Sequence, residues 1–267
     1  MNTQVELSFI VLTWNSERYI NDCILSCLKK CKEEEINAEI IIIDNGSNDK
    51  TKEIIKSTQV KHDNILTLIE LDENRGTTYT RNLGLKKANG TFLCILDSDT
   101  EFGEGSLRDC LIKLKNEPQI GILAPRLLLP NGTVQHSVKK FPTFLQKVKK
   151  IPKAVFGLTI KDDDFYQDFP FTKEREIDTA ISACWFFRKE LVKKIGLLDE
   201  KIFYAPEDLD YSMRSHKAGK QNIYYPFLTV LHHTQQISHK KPFSKVSLSH
   251  LIGLLYYFRK HGGWIRN

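Results

Sequence analysis

Thr91-Phe92-Leu93-Cys94-Ile95-Leu96-Asp97-Ser98-Asp99 is the stretch on which the reading of this 267-residue chain turns. Five consecutive apolar residues, too short for a helix and rich in β-formers, predict a buried strand that stops at a carboxylate. Asn89-Gly90 stands just before it and ends a helical pattern over Thr77 to Ala88. The same layout recurs upstream. Leu7 to Leu12 is an apolar run that gives way to Thr13-Trp14-Asn15. Ile40 to Ile43 is four isoleucines long and gives way to Asp44-Asn45-Gly46-Ser47. Leu66 to Leu71 reads as a further strand. Helical spacing lies between these runs, with Ser16 in position to cap the first helix and a second running from about Asp49 to Ser57. Ser106 opens another helix, and Ile120 to Ala124 reads as a strand. Strands alternating with helices imply an α/β fold with a mostly parallel central sheet and helices on both faces.

The second half changes character. Pro130-Asn131-Gly132 between apolar runs suggests a hairpin within Arg126 to Ser137. Lys139 to Lys153 carries six lysines and no acid. Residues 154–177 show no firm periodicity. Ala180 to Phe187 reads as a strand, and a helix starts near Asp208. Tyr256 to Trp264 joins aromatic and basic residues near the end.

Composition bounds the function. The chain is 41% hydrophobic and 27% charged, which describes an ordinary globular protein. No N-terminal stretch has a signal-peptide layout, and Leu251 to Phe258 is far short of the roughly 20 residues a spanning helix needs. The six cysteines form no disulfide framework. Cys23, Cys27 and Cys31 share a helical face with Ile20, Ile24 and Leu28, so core packing is expected over metal binding, and a reducing cytoplasm is the expected compartment. The net charge of +6 suits an anionic partner such as a nucleotide, a lipid phosphate or a membrane surface. A nucleic-acid role would rest on the lysine run alone and is set aside.

In an open parallel sheet, ligands bind beyond the carboxyl ends of the strands. Three polar groups fall there: Thr13-Trp14-Asn15, Asp44-Asn45-Gly46-Ser47 and Asp97-Ser98-Asp99. Two carboxylates at one strand end suit a hard cation, Mg²⁺ or Mn²⁺, that also binds substrate phosphates. Neither glycine-rich phosphate fingerprint occurs. A second acidic group, Glu207-Asp208-Leu209-Asp210, reads as the first turn of a helix or as the source of a general base. His232-His233 follows the apolar Thr229 to Leu231. A histidine there can pack, hydrogen-bond or complete a metal shell.

These motifs, with Asn74-Arg75-Gly76, Arg81-Asn82-Leu83-Gly84, Gly196-Leu197-Leu198-Asp199-Glu200, Phe203 and Arg214, occur in an order that resembles the inverting family 2 glycosyltransferases, in particular the rhamnosyltransferase-like branch. The match runs from Leu7 to about Ser238. The resemblance implies a GT-A type fold over residues 1–240, with 1–125 binding the nucleotide sugar and 126–240 the acceptor. Residues 241–267 then form a helical basic and aromatic tail. It implies that Asp44 reads the base, that Thr13 and Asn15 line the nucleotide pocket with Gly46, Ser47, Arg75, Gly76, Arg81 and Ser98, and that Asp97 lies near the ribose. Asp99 would hold the metal with His232 as a further ligand, and Asp208 would take the acceptor proton. Trp185 and Glu207 are expected on the acceptor side. Ala205-Pro206 and Trp185 depart from the usual pattern and bear on the acceptor. The implied activity is metal-dependent, inverting transfer of a sugar, rhamnose among the options, from a nucleoside diphosphate to a glycan or lipid-linked hydroxyl in cell-surface polysaccharide synthesis. A sugar nucleotidyltransferase and a non-catalytic glycan-binding module are the rival readings. Peripheral attachment to an anionic inner leaflet is expected from the lysine run and the tail, with Leu251, Leu254, Leu255 and Phe258 packing the final helix onto the domain.

Overall fold

Runs of consecutive apolar residues are satisfied only where both faces of a strand are covered, and here they become the central strands of a sheet. The computed structural model describes residues 4–149, 166, 169–234 and 245–262. Lys150 and Lys153 of the lysine run, and Gly263 and Trp264 of the tail, lie outside the described residues. The chain runs β1 (Leu7–Thr13), α1 (Ile20–Glu33), β2 (Ala38–Asp44), α2 (Thr51–Gln59), β3 (Leu66–Glu70), α3 (Thr77–Lys87) and β4 (Phe92–Asp97). It continues through β5 (Thr100–Phe102), α4 (Leu107–Asn116), β6 (Ile120–Leu128), β7 (Val138–Lys139) and α5 (Phe144–Lys149). Next come β8 (Arg175–Ile177), β9 (Thr179–Ala180), β10 (Cys184–Arg188) and α6 (Lys189–Ile195). The last are α7 (Glu207–Lys217), β11 (Gln221–His232) and α8 (Lys245–His261).

The main sheet has the order β3-β2-β1-β4-β10-β6-β11-β5, with β8 also beside β11. Strands β3, β2, β1, β4, β6 and β11 point one way, while β10, β5 and β8 oppose them. The register sets Thr13 opposite Asp44 and Leu12 opposite Asp97. The polar strand ends therefore share one edge, and β11 brings His232 to the same edge.

Alternate residues of the strands feed two cores. Phe9 and Val11 pack with Ile20, Cys23, Ile24 and Cys27 of α1 on one face. Ile10 and Ile95 pack with Trp185, Leu85 and Tyr211 on the other. All six cysteines are free thiols, and five are buried. Helix α3 sits unusually close to the sheet because Gly84 has no side chain. A Cβ there would stand 2.5 Å from Ile10 Cγ2 and 2.7 Å from Ile43 Cδ1.

Several expectations are corrected. Ser16 does not cap α1. The helix starts at Ile20, the Ser16 carbonyl accepts the Tyr19 and Ile20 amides, and the Ser16 hydroxyl turns to Ser98. The run from Ala180 to Phe187 is two strands. It breaks at 181–183 because Ser182 is drawn to Arg81 and the Ala183 carbonyl accepts the Asp97 amide. The expected hairpin at 130–132 is present and short: Leu129 N donates to the Thr133 carbonyl, Leu128 bridges Val134 antiparallel, and Gln135 N donates to the Leu127 carbonyl. In α8, Leu254 and Phe258 pack inward, but Leu251 and Leu255 face outward. The basic end of that helix is committed to the protein. Lys260 Nζ lies 2.6 Å from Asp199 and 2.7 Å from Asp210, and His261 Nε2 lies 2.7 Å from Asp210. No described helix is long and apolar enough to cross a membrane.

Gly84→Val should force α3 away from β1 and β2. Overpacking of this kind costs about 1–3 kcal/mol, and the urea midpoint should fall accordingly. An unchanged midpoint would mean that the close approach of α3 is not needed.

Candidate active site

The edge where β1, β2, β4 and β11 end is built by loops that lock one another. After β2, Gly46 takes φ +75 and lies against the Glu73 backbone, where a Cβ would be 2.6 Å from the Glu73 carbonyl carbon. The turn is tied back by the Ser47 amide, which donates to Asp44 Oδ1 at 2.9 Å. Asn15, at φ +50, donates its amide to Ser47 Oγ and accepts the Asn48 amide. Asn45 accepts the Arg75 amide at 2.8 Å, and Asn74 accepts the Gly76 amide at 3.0 Å. Gly76, at φ +85, meets the Phe203 carbonyl, which accepts the Thr77 amide at 2.7 Å. The sequence-predicted nucleotide loops are thus brought together and laced to the segment that precedes α7. The Arg75 guanidinium is exposed, pairing with Glu73 and lying over the Tyr79 ring.

Two buried polar atoms at this edge have no partner among the described residues: Thr13 Oγ1 and Asp44 Oδ2. They belong to cross-strand neighbours. Leaving each buried and unmade costs about 1–3 kcal/mol.

The second component is a cluster of potential ligands. Asp97, Asp99 and His232 each offer one ligand atom, all within 4.8 Å of one another. The fold explains the encounter. Immediately after the Asp97-Ser98-Asp99 turn, β5 doubles back and pairs with the end of β11, placing Thr100 opposite His232. The His233 amide donates to the Asp99 carbonyl. His232 Nδ1 lies 2.8 Å from Gln135 Oε1, which orients the ring and turns Nε2 toward Asp99 Oδ1 at 3.5 Å. Two carboxylates and a neutral imidazole suit a hard divalent ion. Sequence reasoning missed Gln135, and no motif marks it. His233, the other half of the pair, turns away to Glu101 at 2.6 Å and stacks on Tyr19. The Ser98 hydroxyl bonds Ser16 Oγ at 2.8 Å, holding the turn from below.

Arg81 connects this cluster to the acidic helix start. It is 1% exposed. Nη2 lies 2.6 Å from Asp97 Oδ1 and donates to the Ser182 carbonyl, while Nη1 lies 3.0 Å from Glu207 Oε1 and donates to Ser182 Oγ. Arg81, expected among the donor-binding residues, is instead buried and spent on Asp97, Glu207 and Ser182. Burial opposes its charge, but Asp97 and Glu207 more than offset that and raise its pKa. Glu207 also accepts the Ser182 hydroxyl at 2.7 Å. Burial first, then the neighbouring Asp208 charge, pushes Glu207 up to about 7 against the pull of Arg81.

Asp208 stands in the first turn of α7, partly exposed, and its Oδ1 accepts the Leu209 amide at 2.8 Å. Asp210 is buried and saturated by Arg214, Lys260 and His261, so it is a structural anion. Burial works against its charge, yet the His261 hydrogen bond and the Arg214 and Lys260 charges hold its carboxyl far below the usual range. Trp185, expected to face an acceptor, is fully buried. It lies in β10 opposite Ile95 and stacks on Tyr211 at 6.3 Å, so it supports the site from within the core.

Comparison with known proteins identifies the family and the fold. A family model described as glycosyl transferase family 2 matches residues 8–196. An N-acetylglucosaminyl-diphospho-decaprenol L-rhamnosyltransferase of Mycobacterium tuberculosis is 26% identical over 185 residues, covering 66% of this chain and 57% of that protein. A poly-beta-1,6-N-acetyl-D-glucosamine synthase of Staphylococcus aureus is 26% identical over 220 residues, covering 82% of this chain and 48% of that protein. The chain therefore spans about half the length of these relatives. Among solved structures, GalNAc-T7 with UDP, GalNAc and Mn²⁺ matches with a TM-score of 0.73 at 15% identity, over 97% of this chain and 48% of that one. Mannosyltransferase PcManGT from Pyrobaculum calidifontis, with GDP-Man and Mn²⁺, gives 0.61 at 17% identity, over 97% of this chain and 64% of that one. At such identities these structures establish a shared GT-A fold.

Arg81→Met should cost about 3–5 kcal/mol, because it leaves Glu207 and Asp97 without their buried cation; urea denaturation reads this. A second expectation concerns pH. In the unfolded chain Glu207 ionises near 4.5, while in the folded protein it keeps its proton up to about 7. Between those values the folded state binds the extra proton, so this group's contribution to stability declines as pH rises. Glu207→Gln should flatten that slope when stability is compared at pH 5 and pH 8. An identical slope in the variant would place the titration elsewhere.

Proposed function

Because the chain belongs to glycosyltransferase family 2, we propose that it transfers a sugar from a nucleoside diphosphate to an acceptor hydroxyl, with inversion and with the help of a divalent cation. The observation that carries this reading is the convergence of Asp97, Asp99 and His232 at one sheet edge, joined through Arg81 to the Glu207-Asp208 helix start. Asp44 and Thr13, with their unpartnered buried oxygens, receive the nucleoside. Asp97, Asp99 and His232 hold Mg²⁺ or Mn²⁺, which when bound offsets the negative charge growing on the leaving diphosphate.

The residues of this chain do the rest. Arg81 keeps Asp97 in place from below and neutralises part of the carboxylate charge. Asp208 accepts the proton of the incoming hydroxyl as its oxygen bonds the anomeric carbon. The bond from that carbon to the diphosphate breaks, and its electron pair leaves with the diphosphate. Attack opposite the leaving group inverts the centre. General-base help of this kind is worth about 10²–10⁴ in rate. Glu207, buried and bonded to Arg81 and Ser182, is a positioning residue that fixes the first turn of α7.

For the substrates, the mycobacterial relative supports rhamnose as the sugar and a lipid-linked glycan as the acceptor, in cell-surface polysaccharide synthesis. Nucleotide-sugar panels read by thermal shift with Mn²⁺ identify the donor, since a ligand that binds the native state raises stability by mass action.

Transfer should need Mg²⁺ or Mn²⁺ and vanish in excess chelator. Asp208→Asn should keep donor affinity within a few-fold while kcat falls by about 10² or more. Full activity in chelator would remove the cation from the reaction. Normal turnover of Asp208→Asn would remove Asp208 as the base.

A further inference from the structure

Helix α8 turns an apolar stripe to the outside. Leu248, Leu251, Ile252 and Leu255 recur at the spacing of one helix face and are 60%, 54%, 56% and 46% exposed. The opposite side of the helix is fixed. Tyr257 and Phe258 pack with Leu209. Gly253 meets the segment before α7 so closely that a Cβ would stand 2.3 Å from the Ala205 carbonyl oxygen. Tyr256 and Lys260 bond Asp199, and Lys260 and His261 hold Asp210. The helix therefore cannot roll its leucines inward without giving up these ion pairs. Four large apolar side chains in one contiguous row mark a surface that something covers.

Charge identifies the cover. Nine of the 39 Lys and Arg residues lie beyond Asp210, and none of the 33 Asp and Glu residues does. The last 57 residues thus carry +9, and the first 210 carry −3. Arg259, exposed, stands one turn beyond Leu255 on the same side. Asp199 and Asp210 are taken up by Lys260 on the inner side of the helix, and an outer apolar row that ends at the exposed Arg259 is what an anionic bilayer surface takes up: aliphatic chains enter the acyl boundary and the cation meets phosphates.

We propose that α8 is a membrane-docking helix that lies in the interfacial plane of an anionic bilayer through Leu248, Leu251, Ile252 and Leu255. Its inner face touches Ala205 and Pro206, next to Glu207 and Asp208, so docking brings the acceptor side of the site to the lipid surface. That consequence rests on the transferase reading; the docking itself does not.

Co-sedimentation with vesicles tests it, using the 267-residue chain without donor, vesicles of phosphatidylglycerol mixed with phosphatidylcholine, and vesicles of phosphatidylcholine alone. The wild type should bind the anionic vesicles at low salt and lose that binding as salt screens the cations over about 10 Å at 0.1 M. Leu251→Glu with Ile252→Glu should lower the bound fraction about tenfold or more, because two apolar side chains leave the interface. Both positions are exposed, and an unchanged circular-dichroism melt would confirm that the variant folds. Equal binding by variant and wild type, or no wild-type binding at low salt, would overturn the proposal. So would a stable dimer that the double variant turns into a monomer. Since no donor is present, failed sugar transfer bears on the transferase reading and leaves this result standing.

Discussion

One buried cation holds the site together. Arg81 has three partners from three parts of the chain: Asp97 at the end of β4, Ser182 before β10 and Glu207 at the start of α7. An arginine in that position is tolerated only because nearly all of its charge is answered by carboxylates and a carbonyl. The answer fixes geometry as well as charge. A planar guanidinium offers its donors in set directions, so the strand end and the helix start are held at one distance. The helix that carries Arg81 is itself seated by Gly84, whose missing side chain lets α3 lie directly on Ile10 and Ile43.

The cluster of Asp97, Asp99 and His232 depends on a different device. Asp99 and His232 are 133 positions apart in sequence, and they meet because β5 reverses straight after the acidic turn and pairs with the far end of β11. Gln135 then orients the imidazole. The acidic turn alone would be an ordinary solvated strand end. Strand pairing brings it together with His232 as a set of three potential ligands.

Much of the fold was legible because β1, β2 and β4 are buried on both faces and must be apolar at every position. That leaves an unmistakable run with a polar stop. The direction of β10 was not legible, because a strand reads the same whichever way it points. Trp185 shows a related limit: a large aromatic in a strand fits a core or a pocket equally well, and only packing on Tyr211 decides. The final helix misled for a physical reason. Its apolar residues cover two faces, Leu248-Leu251-Ile252-Leu255 and Leu254-Tyr257-Phe258, and periodicity cannot say which one the domain takes. The ion pairs of Lys260 and His261 decide it. Gln135 and the Ser182 kink carry no signal at all, since each acts through a partner about 100 residues away.

The reversed strand β10 has an evolutionary meaning. It lies between β4 and β6, and β6 is its hydrogen-bonded neighbour. The chain thus leaves the sheet at the end of β6 and re-enters beside the same strand at β10, with β8 against β11 as its contact with the main sheet in between, among the described residues. Such an excursion is closed at its root, and lengthening a closed loop adds entropy only logarithmically. Insertions or deletions between Gln135 and β8 would leave strand order, the acidic turn and Arg81 with its Ser182 partner where they are. Variation in length would then be confined to one cassette, with the strand edge and its polar turns inherited intact.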